Sequence, residues 1–200
     1  MTETPRERRR KRNKNAILDI AAELIQSHGI ENISLREIAK HADYSPAGLY
    51  KYFDSKAAII QAVQARENQK LIKLLQTVSS ELSPTQRLIE LSLLYIQNCL
   101  DNSVYLVLIN SLSSERKTKE QAVPATSPYN LFLNAVDAWG QHEEINFQPD
   151  YGLEEITYTL WSLIHGMATL RVSQLKDFEA DFQSVNRRSI ELFLNGLRQL

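Results

Sequence analysis

Residues 34–56 (SLREIAKHADYSPAGLYKYFDSK) combine residue types and spacings that point to a specific chemistry. A short helix is expected over residues 35–42, with Leu35, Ile38, Ala39 and Ala42 on one side and Ser34 as its cap. Ala42-Asp43-Tyr44 makes a turn, and Ser45 caps a second helix that opens on Pro46 and runs to Tyr52. Two short helices joined by a three- to four-residue turn form a helix-turn-helix. Pro46, Ala47 and Gly48 are small, so the backbone at that helix end can sit deep in a DNA major groove. The N-terminal residues of such a helix are those that reach base edges. Lys51 and Tyr52 are expected to face outward with them, while Leu49 and Phe53 pack inward. Tyr50, Lys51 and Tyr52 can hydrogen-bond phosphates, which positions a protein without reading sequence. Lys56 falls in the first turn of the next helix, whose free N–H groups favour an anion. Ser34 completes this set of candidate contacts. The same pattern would also serve a helical hairpin inside an ordinary bundle.

A basic front precedes the motif. The first 14 residues carry seven cations (Arg6, Arg8, Arg9, Arg10, Lys11, Arg12 and Lys14) against Glu3 and Glu7. Residues 1–56 hold 11 basic and 8 acidic residues, and residues 57–200 hold 12 and 16, although the whole chain is nearly neutral. That asymmetry suggests an anionic partner for the front alone. Arg10 and Arg12 are the candidate contacts, with the arm following a DNA backbone or entering a minor groove. A solvated tail is the alternative.

The elements that must position these residues are helical throughout. Ala16, Ile17, Ile20, Ala21, Leu24 and Ile25 recur at helical spacing, and His28-Gly29 reads as a helix end. Ser34 and Glu37 fit a capping box. Ser45-Pro46, Ser83-Pro84 and Ser127-Pro128 each read as a cap followed by a first helical residue. Helices are expected near 8–28, 35–42, 46–52, 55–80, 84–101, 103–112, 128–141, 152–174 and 179–198. No strand pattern of useful length occurs, and the polar stretch 113–127 is read as a mobile loop. The fold class is therefore all-α. An N-terminal domain over 1–55 joins a helical body over 56–200 through a long fourth helix rather than a flexible linker.

Composition narrows the function classes. The chain has 200 residues, 43% of them hydrophobic, enough for a packed core. Its single cysteine, Cys99, excludes an internal disulfide and a cysteine-based zinc site. No apolar run is long enough for a membrane span, and no apolar stretch follows the basic front as a secretory signal would require. A cytoplasmic address is expected. There is no Gly-rich phosphate loop and no nucleophile elbow. His142-Glu143-Glu144 lacks the second histidine of a metalloprotease motif. Cys99 sits in an apolar stretch and reads as inert core rather than as half of a dyad with His165. Neither an enzyme, a metal nor a cofactor is expected.

Residues 12–60 resemble the DNA-binding domain of the tetracycline-repressor (TetR) family. The resemblance rests on Ile38-Ala39-Lys40-His41-Ala42 and on Ser45 through Lys56, with its Leu-Tyr-x-Tyr-Phe-x-x-Lys core at Leu49–Lys56. The family usually has Gly and a small aliphatic in the turn, where this chain has Asp43 and Tyr44; Asp tolerates a left-handed conformation better than most residues. The resemblance covers about a quarter of the chain. It implies a homodimer, a near-palindromic double-stranded operator, a ligand pocket in the C-terminal domain, and repression more often than activation.

In the C-terminal body, Ser103–Ile109 is apolar almost all round and is expected to be buried. Trp161-Ser-Leu-Ile-His165-Gly166 resembles the Trp-His-Gly signature of one C-terminal class of the family. Gly166 in mid-helix costs about 1 kcal/mol against Ala, which a close helix approach would explain. Helices 152–174 and 179–198 are accordingly expected to pair with their symmetry mates, the alternative being that Gly166 packs within one protomer. Tyr95, Tyr105, Phe132, Trp139, Tyr158, Trp161 and His165 are candidate lining residues for an aromatic pocket, and each would equally serve as plain core. The reading as a whole is a repressor released from DNA by a small molecule; the alternative is a dimeric DNA-binding or helical interaction protein without small-molecule control.

Overall fold

The computed structural model describes residues 3–111 and 127–198. Among these, the elements are α1 (Pro5–His28), α2 (Leu35–His41), α3 (Pro46–Leu49), α4 (Lys56–Leu75), α5 (Pro84–Asp101), α6 (Ser103–Ser111), α7 (Pro128–His142), α8 (Leu153–Val172) and α9 (Phe182–Leu197). One isolated bridge, Gln148 to Tyr151, is the sole β pairing among the described residues. The expected loop 113–127 lies outside them except for Ser127.

The helix ends follow their capping residues. Thr4 and Glu7 form a reciprocal capping box with Pro5 at the first position, so α1 starts before residue 8 and the basic front is helical from Pro5. All three Ser-Pro pairs act as expected: Ser45 accepts from the Gly48 N–H, Ser83 from Gln86 and Ser127 from Asn130. At Ser34 only half the expected box forms; its Oγ accepts from the Glu37 N–H, and the Glu37 carboxylate does not reciprocate. Several helices are shorter than periodicity suggested, and in α3 and α4 the cause is visible. The second helix of the motif closes at Leu49 because the Lys51 and Tyr52 N–H groups turn to carbonyls three residues back. Helix α4 stops at Leu75 for the same reason at Thr77 and Val78, where the Thr77 hydroxyl also donates to the Leu74 carbonyl.

The chain forms two compact units. The first runs through Glu67 and includes α6; the second begins at Asn68 and holds α5, α7, α8 and α9. The division thus falls inside α4, beyond the expected boundary at residues 55–56. Ile59, Ile60 and Val63 of α4 explain this, since they share one apolar core with Ile17, Ala21 and Ile25 of α1, Ile38 of α2 and Leu49 of α3. Val104 and Leu108 of α6 join the same core. Arg66 ties α4 to α1. Its Nη1 donates to Asp19 at 2.7 Å and its Nη2 to the Leu18 carbonyl at 3.1 Å.

In the second unit, α5, α7 and α8 pack on one another and α9 packs on α5 and α8. Leu88, Leu91, Phe132, Val136, Leu160 and Ile164 are buried there. Helix ends are joined at Glu143, just past α7. Its carboxylate accepts from the Thr85 hydroxyl at 2.6 Å and pairs with Arg198 Nε at 2.9 Å. The Thr85 hydrogen bond and then Arg198 hold the Glu143 carboxyl down at about 2.

A carboxylate depressed in the folded state contributes stability above its unfolded value that is lost as pH falls toward the folded value. Glu143 should therefore contribute roughly 1–2 kcal/mol near neutrality, allowing for its partial exposure. That contribution should vanish between about pH 4.5 and about pH 2. Urea unfolding across this range should show a shallower pH dependence for Glu143→Gln than for the parent chain.

Candidate functional site

Helix α3 presents its small N-terminal residues outward. Pro46, Ala47 and Lys51 are exposed, Tyr50 is 53% exposed, and Gly48 is half-buried. Leu49 and Phe53 are buried at 1% and 4% exposure. Ser34 and Ser45 are exposed caps whose oxygens are already accepting backbone N–H bonds. The turn before α3 depends on Asp43, whose φ of 58° places it in the left-handed region that Asp tolerates. Gly48 sits close behind its cap: a Cβ there would lie 3.2 Å from Ser45 Oγ and 3.4 Å from the Tyr44 ring.

Tyr52 departs from the expected outward placement. It is half-buried, its hydroxyl accepts from Asn13 Nδ2 at 3.0 Å, and its ring meets Tyr44 edge-on at 5.6 Å. The bond from Asn13 draws the Tyr52 hydroxyl below its ordinary pKa, while burial raises that of Tyr44. The helix closes before Tyr52, so the turn directs this side chain back onto α1.

The basic front contributes through that same face of α1. Arg6, Arg9, Arg10 and Asn13, at helical spacing, line an open groove of about 720 Å³ with Lys51 and Tyr52. Arg10 is thus brought beside the motif. Arg12 is not; it shares another face of α1 with Arg8 and Lys11, where Lys11 pairs with Glu3 at 3.2 Å. Lys56 is half-buried with Nζ 3.5 Å from the Glu31 carbonyl. Arg6, Arg9 and Asn13 were missed as site residues. Their 6-9-10-13 spacing carried the signal, and reading residues before 8 as a non-helical arm hid it.

The aromatic candidates of the second half separate. Tyr95, Phe132, Trp161 and His165 do cluster: Tyr95 lies 4.8 Å from Trp161 and 6.0 Å from Phe132 by ring centroids. The Tyr95 hydroxyl is 2.8 Å from His165 Nδ1. Tyr129, which sequence reasoning missed, adds an edge contact to Trp161 at 5.7 Å. Trp139 is fully buried, with no hydrogen-bond partner for its Nε1. Tyr105 is carried by α6, in the N-terminal unit. Tyr158 is 67% exposed. Burial lowers the His165 pKa, favouring the neutral ring, and pushes the Cys99 thiol up to about 12, which leaves no thiolate nucleophile near neutrality. Among the described residues no cluster of three potential metal ligands occurs, and no helix is long and apolar enough to cross a membrane.

Helices α8 and α9 leave apolar side chains uncovered. Tyr158 and Leu170 of α8 and Val185 and Leu192 of α9 are exposed. A Cβ on Gly166 would meet nothing within 4 Å, so no close approach inside the protomer accounts for that glycine.

Residues 17–63 match the family model of bacterial regulatory proteins of the tetR type. An uncharacterized HTH-type transcriptional regulator of Mycobacterium tuberculosis is 36% identical over 74 residues, covering 36% of this chain and 37% of that protein. The chain therefore spans little more than a third of the length of that relative. A protein of unknown function from Rhodococcus sp. RHA1 shares the fold with a TM-score of 0.76 at 21% identity, covering 94% of this chain and 96% of that one. A tetR-type regulator structure from Shewanella sp. PV-4 has a TM-score of 0.71 at 18% identity, covering 92% and 97%.

The bond between the Tyr95 hydroxyl and His165 Nδ1 is part-buried. Tyr95→Phe should lower unfolding free energy by about 0.5–1.5 kcal/mol, read by urea denaturation at pH 7.5 where His165 is neutral.

Proposed function

We propose, from the premise that residues 17–63 are a tetR-family domain, that this chain is a homodimeric DNA-binding transcriptional regulator, most simply a repressor. The observation that carries the reading is the junction of two features on one surface. The small, exposed N-terminal end of α3 stands beside a groove lined by Arg6, Arg9, Arg10 and Lys51. Pro46, Ala47 and Gly48 admit the backbone to a major groove, and the arginines of α1 and Tyr50 contact flanking phosphates. Tyr52 serves from within, holding the end of the motif to Asn13. Ser34, Ser45 and Lys56 supply helix N-termini and a cation for further phosphate contacts.

The protomers pair through α8 and α9, and a dimer carries two copies of α3, as a near-palindromic operator requires. The exposed Tyr158, Leu170, Val185 and Leu192 and the open space at Gly166 support this surface. The Trp161–Gly166 segment fits the Trp-His-Gly class. Small-molecule control is the family's usual mode, with Trp161 and His165 the half-buried members of the aromatic cluster available to a ligand. A second reading, regulation without such a ligand at this cluster, draws on the full burial of Tyr95, Phe132 and Trp139, which act as core.

Fluorescence anisotropy with DNA from the gene's own upstream region, against a scrambled duplex at two salt concentrations, tests DNA recognition. Preferential binding that persists at the higher salt is expected; equal, salt-sensitive binding to both duplexes would count against sequence-specific recognition of that fragment. Arg10→Ala should weaken binding to both duplexes and make the salt dependence shallower by about one phosphate contact, whereas Ala47→Gln should change which duplex is preferred.

Gly166→Leu tests the dimer surface. The protomer has room for the side chain, so its helical content should persist while sedimentation shifts from dimer to monomer. A dimer that survives the substitution would place the interface elsewhere.

A further inference from the structure

A second groove, of about 500 Å³, lies in the C-terminal unit between α5, the last turn of α8 and the start of α9. None of the aromatic cluster lines it. Leu93, Leu94 and Leu100 of α5 form an apolar wall. Opposite chemistry comes from Arg171 and Asn186, each of which keeps hydrogen-bonding capacity that no described residue uses. Asn186 is only 7% exposed, and its side-chain amide has no hydrogen-bond partner among the described residues. That amide lines the groove and offers it two donor hydrogens and an acceptor oxygen. Arg171 Nε is buried without a partner among the described residues.

The Arg171 charge is also uncompensated. Its Nη1 donates to the carbonyls of Leu175 at 3.3 Å and Phe178 at 3.5 Å, and its guanidinium lies over the Phe182 ring at 4.0 Å. No carboxylate pairs with it among the described residues. The other charges of the groove are engaged. Arg187 pairs with Glu90 at 2.7 Å, and the Asp181 carboxylate caps α9 by accepting from the Ser184 N–H at 3.1 Å.

We propose that this groove is a binding site for an amphipathic carboxylate. The carboxylate accepts hydrogen bonds from Arg171 and from Asn186 Nδ2, and the hydrocarbon body lies along the leucines of α5. Charge-assisted bonds of this kind favour an anionic head over a neutral one, and the groove sets polar side chains opposite an apolar wall, as an amphipathic ligand requires. The site stands apart from the DNA-binding reading and survives its failure.

Isothermal titration of the full chain with straight-chain carboxylates from butanoate to dodecanoate, and with decanol as the neutral comparison, tests it. One decanoate per chain is expected, with decanol at least tenfold weaker. Asn186→Leu should weaken decanoate at least tenfold, leave decanol unchanged, and keep or raise the melting temperature, since it removes an unsatisfied amide without opening a cavity. Arg171→Gln should weaken decanoate at least as much. Equal affinity for decanoate and decanol, undiminished decanoate binding by Asn186→Leu, or no binding by any member of the series would each overturn the proposal.

Discussion

Burial of Leu49 and Phe53 is the constraint on which the N-terminal surface depends. Helix α3 has four residues, far below the length at which a helix is stable alone. Its conformation comes from two sources, the Ser45 hydroxyl that caps it and the apolar core that accepts Leu49 and Phe53. With those two side chains fixed inward, Pro46, Ala47 and Lys51 face solvent. The left-handed turn at Asp43 delivers the chain to Ser45, and the tightened turn after Leu49 sends Tyr52 back toward α1. The outward face is thus a consequence of inward packing, and its precision is inherited from the core.

Helix α1 serves both sides of that arrangement. Ile17, Ala21 and Ile25 enter the core, while Arg6, Arg9, Arg10 and Asn13 form one wall of the basic groove. The Thr4–Glu7 cap extends the helix far enough to order these arginines, so their charge is held in place instead of being spread over a flexible arm. Two contacts lock the register of α1 against the motif: Asn13 to the Tyr52 hydroxyl, and Lys14 over the Phe53 ring at 5.1 Å. Arg66 adds a third restraint from α4. A helix that is anchored in the core and carries the groove's arginines needs no separate element to orient them.

The C-terminal unit is organised by how its polar groups are satisfied. Tyr95 and His165 satisfy each other, which lets two polar rings sit within an aromatic cluster. Glu143 gathers Thr85 and Arg198 at the edge of α7. Arg171 and Asn186 differ from these pairs in lining a groove with hydrogen-bonding capacity that no described residue uses.

Much of this was legible in residue order. The three Ser-Pro caps, the Gly29 end and the helical period of Ile17, Ala21, Leu24 and Ile25 are local signals, and they specified the helices and the helix-turn-helix without tertiary information. Leu49, Phe53 and the small residues between Ser45 and Leu49 showed which way α3 faces. Other features depend on distant partners. That Arg10 joins Lys51 while Arg12 does not depends on the helical rotation of α1 against the motif, and Tyr52 turns inward because Asn13 waits there. Tyr105 and Tyr95 look alike in sequence, yet α6 carries its tyrosine in the N-terminal unit and α5 packs the other against Trp161. The unsatisfied pair Arg171 and Asn186 is invisible to any local pattern. Whether a polar side chain is paired is decided by what three helices bring within 3 Å of it, and only the tertiary structure sets that distance.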